Sequence, residues 1–139
     1  MRTDPDCVFC KIVTGEVPCF KLFEDDDTLA FMDINPANPG HALAIAKEHW
    51  EDLYAIPGDL LGATARTAQL VAEAINKTLA PDGINLAQAN GEGAAQTVFH
   101  FHMHILPRST GDELMLNWGH KLGDMDAVHA VFEKVKANL

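Results

Sequence analysis

The chain has 139 residues, 47% of them apolar and 22% charged, and a net charge of -10. That length suits one compact domain around one hydrophobic core, and the composition is far from the charged, apolar-poor signature of disorder. The acidic balance excludes a general electrostatic grip on a nucleic-acid backbone, and no apolar run approaches the roughly 20 residues that a membrane-spanning helix needs.

The N-terminal Met1-Arg2-Thr3-Asp4-Pro5-Asp6 lacks the apolar stretch of a secretory signal, so the expected location is the cytoplasm. In that reducing compartment three cysteines argue against a disulfide framework and direct attention to the close pair Cys7 and Cys10. By itself this Cys-x-x-Cys fits half of a four-cysteine zinc site or a thiol redox pair. Cys19 stands outside the spacing and reads as a small apolar residue. Cys7 leads into a short helix that Gly15 stops, because glycine tolerates the left-handed conformation just past a helix end.

Residues 20–24 and 28–34 read as two strands around the acidic turn Asp25-Asp26-Asp27. The turn formers Asn35-Pro36-Ala37-Asn38-Pro39-Gly40 deliver the chain into a third, more buried strand, Ala42-Leu43-Ala44-Ile45-Ala46. A helix is predicted over 59–79, where Leu61, Ala65, Ala68, Val71, Ala72, Ile75 and Leu79 follow helical spacing. Residues 84–89 form a fourth strand and 98–106 a fifth, stopped by Pro107. From about Asp126, an N-cap type, a final helix carries Val128, Val131, Phe132 and Val135 on one face. The order predicts an α+β domain with a mostly antiparallel sheet of about five strands, one long helix and a C-terminal helix.

The fifth strand carries the chemistry. In Phe99-His100-Phe101-His102-Met103-His104-Ile105-Leu106, imidazole alternates with an apolar side chain, and strand side chains have a period of two. His100, His102 and His104 therefore share one face, about 7 Å apart at neighbouring Cα atoms, while Phe101, Met103 and Ile105 enter the core. A lone histidine on a strand reads as a solvated side chain. Three in strict alternation point to function, because imidazole transfers protons, attacks as a nucleophile and binds metals near neutral pH. His120 and His129 fit no such pattern and are expected to be exposed.

His-Phe-His-Met-His-Ile-Leu resembles the His-φ-His-φ-His-φ-φ signature of the histidine-triad (HIT) superfamily, where φ is apolar. The preceding Asn90-Gly91-Glu92-Gly93-Ala94-Ala95-Gln96-Thr97-Val98-Phe99 resembles its phosphate loop. Cys7-Val8-Phe9-Cys10-Lys11-Ile12-Val13 with Gly15-Glu16-Val17-Pro18, Leu29-Ala30-Phe31-Met32-Asp33-Ile34, and Pro39-Gly40-His41-Ala42-Leu43-Ala44-Ile45 through Lys47-Glu48-His49 are similar to the Hint-like, nucleotide-binding bacterial branch.

The resemblance implies one HIT domain over residues 1–139 and a homodimer, with a C-terminal segment containing Trp118 placed to cross to the partner or cover the site. It implies a hydrolase or nucleotidyl transferase acting at the α-phosphorus of a purine nucleotide or nucleoside phosphoramidate. His102 would be the nucleophile and form a covalent nucleotidyl-histidine, while His104 and His41 would orient it and hold charge on the phosphoryl oxygens. Asp33 would bind the ribose, Phe31 and Ile34 would wall the base, and Asn90, Gln96 and Thr97 would contact the α-phosphate.

The resemblance to zinc-bearing members adds His49 and His100 to Cys7 and Cys10 as the ligands of a structural Zn2+. Thr97 stands where phosphoramidate-cleaving members often carry Ser, and the ending Pro107-Arg108 resembles the branch that cleaves dinucleoside polyphosphates. Competing expectations are therefore hydrolysis of dinucleoside polyphosphates, nucleotide sensing with little turnover, and a catalytic zinc held by His100, His102 and His104.

Overall fold

The computed structural model describes residues 1–139, which run α1 (Val8–Val13), β1 (Lys21–Glu24), β2 (Thr28–Met32), β3 (Ala42–Ala46), α2 (Gly58–Leu79), β4 (Gly83–Ala87), β5 (His102–Arg108) and α3 (Met125–Lys136), with one 3-10 turn at Glu92–Ala94. The strands form one antiparallel sheet in the order β1-β2-β3-β5-β4. The α+β architecture expected from the sequence is the one observed.

Strand alternation divides the core into two layers. Ala30, Ala42, Ala44 and Ile105 meet Ala68, Val71 and Ile75 of α2 on one face. Leu29, Phe31, Leu43 and Ile45 pack with Phe9 of α1 on the other. Alanines on the α2 side let a 22-residue helix lie close to the sheet, and larger side chains fill the face that the six-residue α1 covers only in part. Each fully buried Leu, Ile or Phe contributes roughly 1.5–3 kcal/mol relative to exposure. A third cluster of Ala46, Ile56 and Phe101 closes one end.

The apolar stripe predicted for α2 left out Thr64 and Thr67, which are also buried. Their hydroxyls are matched: Thr64 Oγ1 donates to the Leu60 carbonyl at 2.8 Å, and Thr67 Oγ1 meets Thr28 Oγ1 at 2.7 Å. A buried hydroxyl with a partner costs little.

β1, β4 and α2 differ from the sequence reading by one or two residues at an end, and three further differences have a physical reason. β5 continues through Pro107 to Arg108, where a stop was expected. The ladder to β3 ends at Ile105, so the missing N–H of Pro107 lies beyond the last bond it would have made. On that same side its carbonyl accepts from Asn38 Nδ2 at 2.9 Å. At its other end β5 begins at His102, because residues 98–100 bend and the backbone bond across from this stretch is the Phe101 N–H donating to the Trp50 carbonyl at 2.6 Å. β2 ends at Met32, where the Asp33 side chain accepts the Asn35 N–H at 2.8 Å and turns the chain.

Gly40 completes that turn at φ +91°, and a Cβ there would stand 2.6 Å from Leu79 Cδ1 and 3.1 Å from Pro107 Cγ. Glycine alone fits both demands, and its place delivers His41 to the head of β3. The cap of α3 is Asp124, two residues before the Asp126 expected there, and its side chain accepts from the Asp126 and Ala127 N–H groups. Its Val128, Val131, Phe132 and Val135 are all exposed.

Candidate functional site

His102 opens β5 and is 6% exposed. Its Nδ1 lies 2.6 Å from the His100 carbonyl oxygen, which only accepts, so Nδ1 carries the proton and donates. Nε2 is left as the bare lone pair of the neutral ring. His102 sits beside His104, ring centroids 4.9 Å apart.

A second chain of partners sets the protons on His41 and His104. The Ala37 N–H donates to His41 Nδ1 at 3.0 Å, so neutral His41 holds its proton on Nε2. That Nε2–H donates to His104 Nδ1 at 2.9 Å, and neutral His104 therefore carries its proton on Nε2. The Asp33 carboxylate stands 3.5 Å from His41 Nε2, close enough for charge interaction but secondary to the shorter bond.

Burial pushes His41, His102 and His104 below the ordinary histidine range, His104 to about 4. The Asp33 charge opposes the shift at all three. Neutral imidazoles at pH 7 follow, one as an open lone pair and one as an N–H donor.

These groups line a cavity of about 490 Å³. Its polar wall is Asp33, Asn35, His41, Thr97, His102 and His104, and its apolar wall includes Phe9, Ile12, Pro18 and Phe31. Phe31 and Ile34, expected beside a base, both line it, Ile34 from the rim at 74% exposed. The contribution of α1 was missed, since Phe9 and Ile12 in a short helix look like core residues until the sheet brings the cavity beneath them.

The loop before β5 uses its side chains to hold itself. Gln96, 5% exposed, accepts the Gly91 N–H on Oε1 at 2.8 Å and donates Nε2 to the carbonyls of Glu51 at 2.7 Å and Val98 at 3.2 Å. Asn90 accepts the Leu53 N–H at 2.8 Å and exchanges hydrogen bonds with Gln88. Neither side chain lines the cavity, whereas Thr97 does. Arg108 also points elsewhere: it grips Asp112 through two bonds of 2.8 and 2.7 Å and reaches Asn85 and the Leu114 carbonyl. That guanidinium holds the Asp112 carboxyl well below the usual carboxylate range.

Cys7, Cys10, His49 and His100 converge from three parts of the chain, with ligand atoms all within 4.8 Å of one another. His100 is fully buried. It donates Nε2–H to the Ala46 carbonyl at 2.6 Å, which frees Nδ1 to face Cys7 Sγ at 3.5 Å, Cys10 Sγ at 3.6 Å and His49 Nδ1 at 3.3 Å. Cys10 Sγ to His49 Nδ1 is 3.4 Å. At bond lengths of about 2.3 Å to sulfur and about 2.0–2.1 Å to nitrogen, tetrahedral ligand atoms stand about 3.3–3.8 Å apart. The observed separations match that spacing.

His100, His102 and His104 do not meet at a common point. His100 Nδ1 faces the cysteines, His102 Nδ1 is bound to a carbonyl and His104 Nδ1 to His41. His120 and His129 are exposed.

Comparison with known proteins places this geometry in context. A family model described as HIT domain matches residues 14–111. The adenosine 5′-monophosphoramidase HNT1 of Candida albicans is 36% identical over 146 residues, covering 100% of this chain and 95% of that protein. The adenylylsulfatase HINT3 of Arabidopsis thaliana is 45% identical over 107 residues, 77% of this chain and 54% of that protein. Among solved structures, a HIT family protein from Bacillus anthracis superposes with a TM-score of 0.90 at 34% identity, covering 99% of each chain. A Zn-bound histidine triad family protein from Mycobacterium smegmatis gives 0.75 at 34%, covering 96% of this chain and 98% of that one.

The buried imidazoles have a measurable consequence. An unfolded chain's histidine takes up its proton near pH 6.5, whereas burial delays His104 to about pH 4. Between those values the unfolded state binds more protons, so stability falls as pH falls through this window and is regained as pH rises. An NMR titration should find the His104 ring resonances unchanged from pH 7 to pH 5 while the urea midpoint drops over the same interval. A His104 inflection near pH 6.5 would contradict the burial argument.

Proposed function

The chain belongs to the HIT domain family, and from that premise we propose that it opens purine nucleoside phosphoramidates at the α-phosphorus through a covalent nucleotidyl-His102. The observation that carries the reading is the bare Nε2 of His102, freed by the bond from Nδ1 to the His100 carbonyl and lying in the wall of the cavity. A neutral imidazole is a competent nucleophile at pH 7.

In the first step the Nε2 lone pair attacks phosphorus and the bond to the leaving nitrogen breaks, with its electron pair going to that nitrogen. The ring becomes an imidazolium whose Nδ1–H still points at the His100 carbonyl, a stabilising dipole for the new charge. His104, an N–H donor on Nε2 through its bond from His41, offers that proton to a phosphoryl oxygen. Thr97 offers its hydroxyl to the departing nitrogen, and Asp33 takes the ribose. Gln96 and Asn90 serve the phosphate by holding the loop whose backbone N–H groups face it. Water then attacks phosphorus, the P–Nε2 bond breaks with its pair returning to the ring, and the proton that water loses to solvent balances the one the departing amine takes up.

Adenosine is the favoured base, in line with the monophosphoramidase relative. Arg108 is committed to Asp112 and lies away from the cavity, which favours a single-phosphate substrate over a dinucleoside polyphosphate. Residues Cys7, Cys10, His49 and His100 hold a structural Zn2+ in this reading, as the Zn-bound relative suggests. A closed four-ligand site adds folding energy and activates no water.

The same reading takes the protein as a homodimer, since α3 presents Val128, Val131, Phe132 and Val135 to solvent in one chain and Trp118 is 78% exposed. No helix is long and apolar enough to cross a membrane, and the free thiols suit the cytoplasm in which we place the protein.

Three measurements test these assignments. Rapid mixing with an adenosine phosphoramidate, alkaline quenching and intact-mass analysis should find an adenylylated species in the natural protein. His102→Ala should abolish turnover and keep nucleotide affinity within about tenfold, near 1.4 kcal/mol; no adduct together with retained turnover would reject the nucleophile. Metal analysis should find one zinc per chain, lost in Cys7→Ser, and full retention there would sink the ligand set. Light scattering at micromolar concentration should give the mass of two chains, a strict monomer counting against the dimer.

A further inference from the structure

Two of the three cysteines are accounted for by the group they form with His49 and His100. The third, Cys19, is half-buried, makes no hydrogen bond, and lies between the turn at Pro18 and the start of β1. Its side chain packs on the cluster of Phe9, Leu29, Phe31, Leu43 and Ile45. Sequence spacing marked it only as a small apolar residue. The fold gives it a second property, because it forms part of the wall of the same cavity as Asp33, His41, His102 and His104.

That this cavity receives a ligand rests on an observation independent of the thiol. His102 is 6% exposed, lines the cavity, and leaves Nε2 without a hydrogen-bond partner. At about 490 Å³ the space suits one small-molecule ligand. A group attached to the wall occupies volume that such a ligand needs.

We propose that Cys19 is a modification site: a small uncharged electrophile or a low-molecular-weight disulfide adds to its Sγ, and the adduct closes the cavity to nucleotide. The inference rests on the nucleotide reading above. With a maleimide, Sγ forms a bond to an alkene carbon and the neighbouring carbon takes the thiol proton. With a disulfide, the thiolate attacks one sulfur and the other leaves as a thiolate, so a mixed disulfide forms and a reducing thiol reverses it.

Access and charge shape the reagent. Burial pushes the Cys19 thiol up, against the opposing Lys21, so the thiolate fraction at pH 7 is small and reaction is slower than at a solvent thiol. An apolar wall of Pro18, Phe31 and Ile12 favours an uncharged reagent over an anionic one.

The test uses the zinc-loaded full chain, N-ethylmaleimide, and AMP as the nucleotide probe. Peptide mass analysis should locate one adduct, on Cys19, with Cys7 and Cys10 unmodified. Saturating AMP should slow its formation at least tenfold, and the alkylated protein should lose AMP affinity at least tenfold by calorimetry. Cys19→Ser, given the same treatment, should keep the affinity it had before treatment. An adduct on Cys7 or Cys10 in place of Cys19, an alkylation rate that bound AMP leaves unchanged, or full AMP affinity after Cys19 alkylation each overturns the proposal. Failure of the untreated protein to bind AMP overturns the nucleotide reading itself, and the proposal with it.

Discussion

The 2.6 Å hydrogen bond from His102 Nδ1–H to the carbonyl of His100 is the contact on which our reading of this molecule's chemistry depends. It selects one tautomer and so decides which nitrogen of this cavity-lining ring keeps a bare lone pair. It also sits at the bend in residues 98–100, just before β5 takes up the ladder. That bend lets the His100 ring turn to the Ala46 carbonyl and to the cysteines. One turn of backbone thus serves two places, the cavity on β5 and the Cys7, Cys10, His49 and His100 group.

The two sites are mechanically joined. Cys7 and Cys10 flank Phe9, and Phe9 packs edge-on against both His100 and His102, with ring centroids 5.8 and 5.1 Å away. An ion held by the cysteines and histidines would therefore fix α1 against the sheet, and with it the apolar wall of the cavity. Its contribution to activity would pass through placement, because every ligand position of a closed tetrahedral site is filled by protein. Burial of the histidine row acts alongside this. In our reading neutral rings serve as nucleophile and donor at pH 7, because the surrounding Phe9, Phe31 and Leu43 make a charged imidazole costly.

The sheet separates structural from chemical duties by its faces. Small residues on the α2 face, Ala30, Ala42, Ala44 and Ala68, make a close helix-sheet layer with little polar content. The opposite face carries the histidines, Asp33 and the thiols. Arg108 lies at the far end of β5, where its fork on Asp112 organises the chain that leaves the sheet. Beyond that point α3 stands apart from the core, its apolar stripe exposed. A single chain leaves that stripe unburied, and this is the structural ground for the dimer in our reading.

Much of this was legible in the residues. Period-two alternation in His102-Met103-His104-Ile105 separated a chemical face from a core face, because strand geometry permits no other arrangement, whereas His100 lies in the bend before the strand; helical spacing located α2 to within a residue. Local chemistry also marked Asp126, two residues past the observed cap, as a helix start and Asn35 to Gly40 as a turn. What only the tertiary structure decided are facts about partners distant in sequence. Pro107 continues a strand because the β3 ladder has already ended; Thr67 is buried because Thr28 meets it; Gln96 and Asn90 spend their amides on Glu51 and Leu53. The protonated nitrogen of each histidine belongs to the same class. A tautomer is set by the atom across the hydrogen bond, and no residue type carries that information before the chain has folded.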